Sequence, residues 1–460
     1  MSPTPPDALA VAQAVRAGRE TAASVAEAAI ARIEAGADLV AVVDFDPAPV
    51  RAAAAAVDAR LAAGEDLPLA GVPVAIKDVI WVKGRRVTQG SRLFADFLAP
   101  ADAVAVERLR RAGAVIVGMS NTSEFACKGL TTNRVYGTTR HPLDPRLTPG
   151  GSSGGPSAAV MAGLVPLALG TDAGGSSRRP PAHVGAVGFK PSFGAIPHAP
   201  GFAGPVPGIE VLAPIARTVA DAAAMFAVLR GPDPRDPDSL LAPVPSRATA
   251  APRIAYTRRF GMAVPVEPAI EAGIEWAVEV LRRAGFVVEE GDPPWPAGVD
   301  EATLMPLQHA GLAALHGDAF RRDPDVFDPD IAVQIERGLS LDAATVARAR
   351  ILAREVALAL AGFFTRVDLL VGPTVPCLAW AADRLGPETI AGIAVPPRAH
   401  AAFTPLFNHA GVPALSLPVG KGEGGLPFGL QMVAARGADD LLLATAARAE
   451  VLFAERGLWP

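Results

Sequence analysis

Apolar residues recur at helical spacing through the start of the chain, which predicts helices over Ala8 to Ala17, Thr21 to Glu34 and Pro49 to Ala63, with Thr21 as a cap. The pattern then changes to a short apolar run, Leu69-Ala70-Gly71-Val72-Pro73-Val74-Ala75-Ile76, which reads as a buried strand delivering Lys77 at its end. Helix and strand alternate from there: helix Ala103 to Ala112, strand Ala114 to Gly118, helix Pro156 to Ala162 with proline in its first turn, strand Val165 to Gly170. A strand at Val187 to Lys190 and a helix at Thr218 to Leu229 follow, with Thr218 and Asp221 read as a capping box. Gly231 to Arg253, rich in Pro, Asp and Ser, reads as a surface connection. Beyond it, Ile270, Ile274, Ala277, Val278 and Leu281 form one face of a helix, and Phe286 to Val288 a strand. Helices at Met305 to Arg321 and Asp342 to Phe364, strands at Val367 to Val371, Ala414 to Leu417 and Phe428 to Val433, and a helix at Ala438 to Leu452 complete the pattern. There is no internal repeat, and the alternation predicts a layered α/β protein.

Composition narrows the function classes. Half of the 460 residues are apolar and 19% are charged, a balance for a folded globular chain with a large core. The net charge of −5 supplies no general field for nucleic acid or an anionic membrane. Arg178-Arg179 and Lys83-Gly84-Arg85-Arg86 are too short to be more than surface or structural arginines. The alanine-rich stretches from Arg51 to Ala63 and Ala343 to Ala361 carry regularly placed charges, which argues against a membrane span. Cys127 and Cys377 lack metal-type spacing and are too few for a disulfide framework. Met1 to Asp7 has no basic region leading into an apolar core, so it does not read as a secretory signal; a reducing cytosol is the simplest compartment.

The chemistry concentrates in two glycine-rich turns, Gly150-Gly151-Ser152-Ser153-Gly154-Gly155 and Gly170-Thr171-Asp172-Ala173-Gly174-Gly175-Ser176. A serine hydroxyl needs a base to become a nucleophile, and a developing oxyanion needs N–H donors that small residues can expose. Lys77 can be that base only if burial lowers its pKa from ~10.4 by roughly three units. Val74, Ala75 and Ile76 offer the apolar setting, whereas Asp78 opposes the shift if it sits near the amine. The first turn does not end in Gly-Lys-Ser/Thr, which argues against a phosphate loop. None of the seven histidines stands in a triad context and there is no Gly-x-Ser-x-Gly elbow, which argues against a Ser-His-Asp enzyme. Ser153 and Ser177 stand beside the two candidates and compete with them on spacing alone.

Over most of its length the chain resembles the amidase signature family. The likeness is carried by Thr148 to Ser192, by Gly71-Val72-Pro73-Val74-Ala75-Ile76-Lys77-Asp78, by Asn121-Thr122-Ser123-Glu124-Phe125-Ala126, by Pro142 to Pro149 and by Gly425-Leu426-Pro427-Phe428-Gly429-Leu430-Gln431. The resemblance implies one large α/β domain spanning 1–460, with a mixed sheet covered by helices on both faces. It places the signature region at 71–192 and a variable, pocket-shaping helical region at about 300–365. It implies Ser176 as nucleophile, Ser152 as a bridging serine linked through a cis peptide and touching substrate, and Lys77 as base. It implies an oxyanion hole from the N–H groups of Ala173, Gly174, Gly175 and Ser176. Phe125 and Cys127, in the loop to Gly129, are implied as pocket wall, with Cys127 a packing residue, and Asp172 and Arg178 as a structural pair. No metal or organic cofactor is implied.

The activity implied is hydrolysis of a small-molecule linear amide to a carboxylate and ammonia or an amine, through an acyl-serine. A homodimer is common among such proteins. The alternative is the glutamine-hydrolysing component of a transfer-RNA-dependent amidotransferase, which works in a complex. The pattern of that component has an acidic residue three before the threonine of a Thr-x-Pro-x-Asn stretch. Here the stretch is Thr404-Pro405-Leu406-Phe407-Asn408, with its proline one place early, and the acidic position is Ala401. Arg179, His183 and Val184 depart from the small or apolar residues and the cysteine that the family often places after the nucleophile.

Overall fold

The strand Val187–Lys190 shows how the layers are built. Phe189 packs its ring 5.1 Å from Phe226 of the helix Val219–Leu229 on one face, while a Cβ on the neighbouring Gly188 would overlap Ser177 O and Pro181 on the other. Successive residues of a strand point to opposite faces, so the sheet is covered on both. The computed structural model describes residues 7–240 and 251–454. They form a single domain around an 11-stranded mixed sheet.

From one edge to the other the strands run Val42–Val43, Val115–Ser120, Pro73–Lys77, Leu167–Asp172, Val211–Ala216, Val187–Lys190, Ala414–Lys421, Pro427–Ala434, Leu369–Pro373, Arg253–Tyr256 and Val287–Glu290. Val115–Ser120, Pro73–Lys77 and Leu167–Asp172 are parallel neighbours, with Ile76 opposite Leu169. Parallel neighbours end at the same edge of the sheet, so Lys77 and the turn that follows Asp172 emerge side by side. Val74, Ala75 and Ile76 are wholly buried, as their continuous apolar run requires.

Most helices and strands fall where the periodicity placed them, with ends shifted by a few residues. Thr21 caps the helix Ala22–Ala35 through Ser24 N. Thr218 accepts from Asp221 N, but the Asp221 carboxylate does not return to the cap as a capping box requires. It accepts from the N–H groups of Ala8 and Leu9 and so holds the start of the helix Ala8–Arg16.

The strand Val211–Ala216 is not foreseen by its pattern, because Pro214 interrupts the donor row; it is nevertheless central and wholly buried. Arg179–Val184 is a six-residue helix begun by two prolines, too short to show a period. The strand Arg253–Tyr256 and the helix Pro329–Leu339 are likewise additions. Of the expected connection, Pro237–Leu240 forms a 3-10 turn and 241–250 lie outside the described residues. The tail 1–6 lies outside them too.

A long helix and a shorter one pack together beside the loop that follows Ser120. Glu301–Arg322, capped by Asp300 at Thr303 N, crosses Pro329–Leu339 so closely that a Cβ on Gly338 would meet His309 O. A small second core of Phe125, Cys127, Leu312, Phe327, Ile331 and Ile335 fastens this pair to the loop after Ser120. Among the described residues no helix is long and apolar enough to cross a membrane.

Candidate active site

Lys77 ends its strand fully buried, and its ammonium donates to Ser152 Oγ at 2.7 Å and to Thr171 Oγ1 at 2.9 Å. Burial brings its pKa down to about 7, against the opposing charges of Glu210 and Asp172. Asp78 does not hold the amine charged. Its carboxylate turns away and accepts from Thr88 N at 2.9 Å, Thr88 Oγ1 at 2.5 Å and Gly90 N at 3.3 Å. Burial raises its pKa to about 7 despite those bonds.

Ser152 follows a cis Gly151-Ser152 peptide and precedes the helix Gly154–Met161. The turn is built by close approach: a Cβ on Gly151 would sit 2.7 Å from the Leu130 backbone, and one on Gly155 would sit 2.4 Å from that of Asn121. Thr131 clamps it, donating to Gly150 O at 2.9 Å and accepting from Gly154 N at 2.9 Å. Ser153 points elsewhere, donating to Thr171 O at 3.1 Å.

The second turn is organised by Asp172. Its carboxylate accepts from Gly175 N at 2.7 Å, Ser177 N at 3.0 Å and Ser177 Oγ at 2.8 Å. Arg178 forks onto it and reaches Gln431 Oε1 at 2.7 Å and Asn408 Oδ1 at 2.6 Å. Burial alone would raise the Asp172 pKa, but the Arg178 charge and the converging donors hold it well below the usual carboxylate range. Thr404 Oγ1 donates to Gly174 O at 2.8 Å. Segments distant in sequence, around Thr404, Asn408 and Gln431, thus converge to fix this one turn.

Ser176 is 6% exposed, carries no hydrogen bond among the described residues and lines a cavity of about 60 Å³. Ser152, Thr171, Ala173 and Gly174 share that wall, as do Phe125 and Cys127, so the candidates are brought together with Lys77 behind Ser152. The four N–H groups of the oxyanion expectation differ in their bonding. The Gly175 N–H is already donated to Asp172, while the N–H groups of Ala173, Gly174 and Ser176 meet no acceptor among the described residues. Ser177 is held by Asp172 and, unlike Ser176, does not line the cavity.

Cys127 is buried, donates to Phe125 O at 3.2 Å and has its thiol pushed up to about 12 by burial, which suits packing and not nucleophilic attack. His183 is buried edge-on against Trp380, 5.4 Å between ring centroids, and burial lowers its pKa to about 3. Neither His183 nor Arg179 lines the cavity. Sequence reading assigns no site role to Thr171, Glu210, Leu304, Gln308, Arg398 or His409, all of which line it. Thr171 stands in the second glycine-rich turn, and Leu304 and Gln308 stand in the variable helical region; Glu210 and Arg398 carry no signal in their own neighbourhood.

Residues 24–443 match the Amidase family. The chain is 36% identical to the A component of the glutamyl-tRNA(Gln) amidotransferase of Deinococcus deserti over 96% of each chain. Among solved structures it is similar to a bacterial aryl acylamidase of the amidase signature family, with a TM-score of 0.91, 28% identity and coverage of 100% of this chain and 98% of that one. It is also similar to a chain of a vestigial protein complex linked to the origins of an s-triazine catabolic enzyme, with a TM-score of 0.88, 32% identity and coverage of 98% and 99%.

Proposed function

Since this chain belongs to the Amidase family, an enzyme family acting on carbon–nitrogen bonds of amides, we propose that it hydrolyses a linear amide through an acyl-Ser176 intermediate. The observation that carries the reading is the contact of Lys77 Nζ with Ser152 Oγ at 2.7 Å inside a wholly buried setting. Neutral Lys77 takes the Ser152 proton as Ser152 takes that of Ser176, and Ser176 Oγ bonds to the amide carbon. The N–H groups of Ala173, Gly174 and Ser176, left without an acceptor among the described residues, receive the oxyanion. As the carbon–nitrogen bond breaks, the proton returns through Ser152 to the leaving nitrogen. Water, deprotonated along the same relay, then releases the carboxylate and restores Ser176.

Two settings for this chemistry differ in partners. Likeness to the aryl acylamidase supports a free-standing amidase, with the helical region at about 300–365 shaping its pocket. The 36% identity to the Deinococcus deserti protein over 96% of each chain supports release of ammonia from glutamine within an amidotransferase complex, and by sequence this is the better supported setting. Both cysteines are free and buried, in keeping with a cytoplasmic enzyme of either kind.

The test is ammonia and amine release by the purified chain across aliphatic, aryl and amino-acid amides, glutamine included, with Ser176→Ala as control. Turnover lost in the variant, together with an acyl adduct on Ser176 by mass spectrometry, supports the mechanism. Turnover indifferent to Ser176→Ala overturns it. Activity that emerges only with copurified partner proteins selects the complex.

A further inference from the structure

The cavity wall beside Ser176 includes Glu210, a half-buried carboxylate to which no donor among the described residues is bonded. Its charge reaches the reacting end of the site, since it acts on both Lys77 and Cys127. Of the polar side chains lining the cavity away from the two glycine turns, three others have partners. Gln308 Nε2 donates to Gln334 Oε1 at 2.6 Å, and Arg398 and His409 have interactions of their own. Much of the remaining wall is apolar, including Val206, Ile209 and Leu304.

The Glu210 carboxylate lies against the backbone of Gly204, where a Cβ would come 2.6 Å from its Oε2. The same loop is braced from outside, where Gly311 of the helix Glu301–Arg322 admits Pro205 O. An ionised carboxylate can only accept hydrogen bonds, and one left unpaired in a partly dry pocket costs folding free energy that a bound donor offsets. A cationic donor offsets it best, because charge-assisted bonds are shorter and stronger than neutral ones.

We propose that Glu210 is the specificity-determining residue of this pocket and that the amide cleaved there carries a protonated amine which pairs with it. The inference rests on the amide-hydrolysis reading above and names its substrate class. It has a consequence for the base. The Glu210 and Asp172 carboxylates are the charges that oppose the lowering of the Lys77 pKa, and a bound ammonium offsets the first of them. The substrate's own charge then favours the neutral form of Lys77.

The test compares β-alaninamide with butanamide, which have the same heavy-atom skeleton but differ by an ammonium in place of a methyl group. Calorimetric titration of full-length Ser176→Ala measures binding without turnover, and kcat/KM is measured in parallel with the unaltered enzyme. The expected preference for β-alaninamide is about ten- to a hundredfold, the range for a hydrogen bond to a charged group. In the Glu210→Gln background it falls to near one, while Glu210→Asp keeps part of it. Equal binding of the two amides, no binding of β-alaninamide, or a preference that survives Glu210→Gln overturns the inference. Hydrolysis of butanamide without preference sinks this inference and leaves amide hydrolysis standing. A Glu210-dependent binding preference with no turnover of either amide sinks the hydrolysis reading for this class and leaves the pairing standing.

Discussion

Asp172 and Arg178 form a sealed two-point ion pair, with Nη2 to Oδ1 at 2.9 Å and Nε to Oδ2 at 3.0 Å and no exposure of either side chain. The pair sits directly behind the turn that carries Ser176, where Gly175 N, Ser177 N and Ser177 Oγ donate to the same carboxylate.

Replacing Arg178 by Met therefore leaves a buried carboxylate without its counter-charge. The expected loss of stability is about 3–5 kcal/mol, read by urea unfolding at pH 7. Arg178→Lys recovers little of it, since an ammonium cannot span Asp172, Gln431 and Asn408 together. A loss below about 1 kcal/mol for the Met variant would show that the pair does not hold the turn.

In the proposed mechanism Lys77 acts as a neutral base, so kcat/KM is expected to rise with pH through about 7 and lose that limb in Lys77→Ala. Glu210→Gln removes a charge that raises the Lys77 pKa, so its acid limb moves to lower pH. The stability linkage has its own sign. Because the folded pKa lies below the unfolded one, the unfolded chain binds more protons between about pH 7 and ~10.4, and stability gains from this site as pH rises through that window. Lys77→Met is accordingly most stabilising relative to the parent at pH 7 or below, with the advantage fading by about pH 10 in thermal melts.

Two adjacent glycines make a matched test of the turn. Gly175 has φ +111° and its Cβ would overlap Thr404 Oγ1, whereas a Cβ on Gly174 meets nothing within 4 Å. Gly175→Ala is expected to cost at least about 1–2 kcal/mol from its backbone angle alone and to abolish turnover. Gly174→Ala should melt like the parent and change KM, because its Cβ enters the cavity that Ser176 lines. Equal melting temperatures for both variants would contradict this geometry.

Burial pushes both cysteine thiols up, Cys127 to about 12 and Cys377 beyond the usual thiol range. Native protein at about pH 8 is expected to resist iodoacetamide at both positions, with alkylation only after unfolding, as peptide mass spectrometry will show. Rapid modification of native Cys127 would mean that its thiol is open to the cavity and ionised.

The sequence by itself determined the alternating helices and strands, because their signals are local: periodicity, caps and short apolar runs. It likewise marked Lys77 at a strand end and the two dense glycine turns as candidate chemistry, but Ser152 and Ser176 were chosen over their neighbours Ser153 and Ser177 only by the family resemblance. The strand Val211–Ala216 escaped because Pro214 spoils its pattern, and only pairing with both adjacent strands makes it a strand. Thr131 and Glu210 carry no signal of their own, and Thr171 and Thr404, though they stand in stretches the sequence marks, are given no role by it. The three threonines gain their places from partners well separated in sequence, as Thr404 does at Gly174. Glu210 gains its place from the cavity that forms around Ser176. The lowered pKa of Lys77 and the commitment of the Gly175 N–H were also decided by tertiary structure. Burial, and the direction in which a donor points, exist only once the parallel strand ends and the loops over them are packed together.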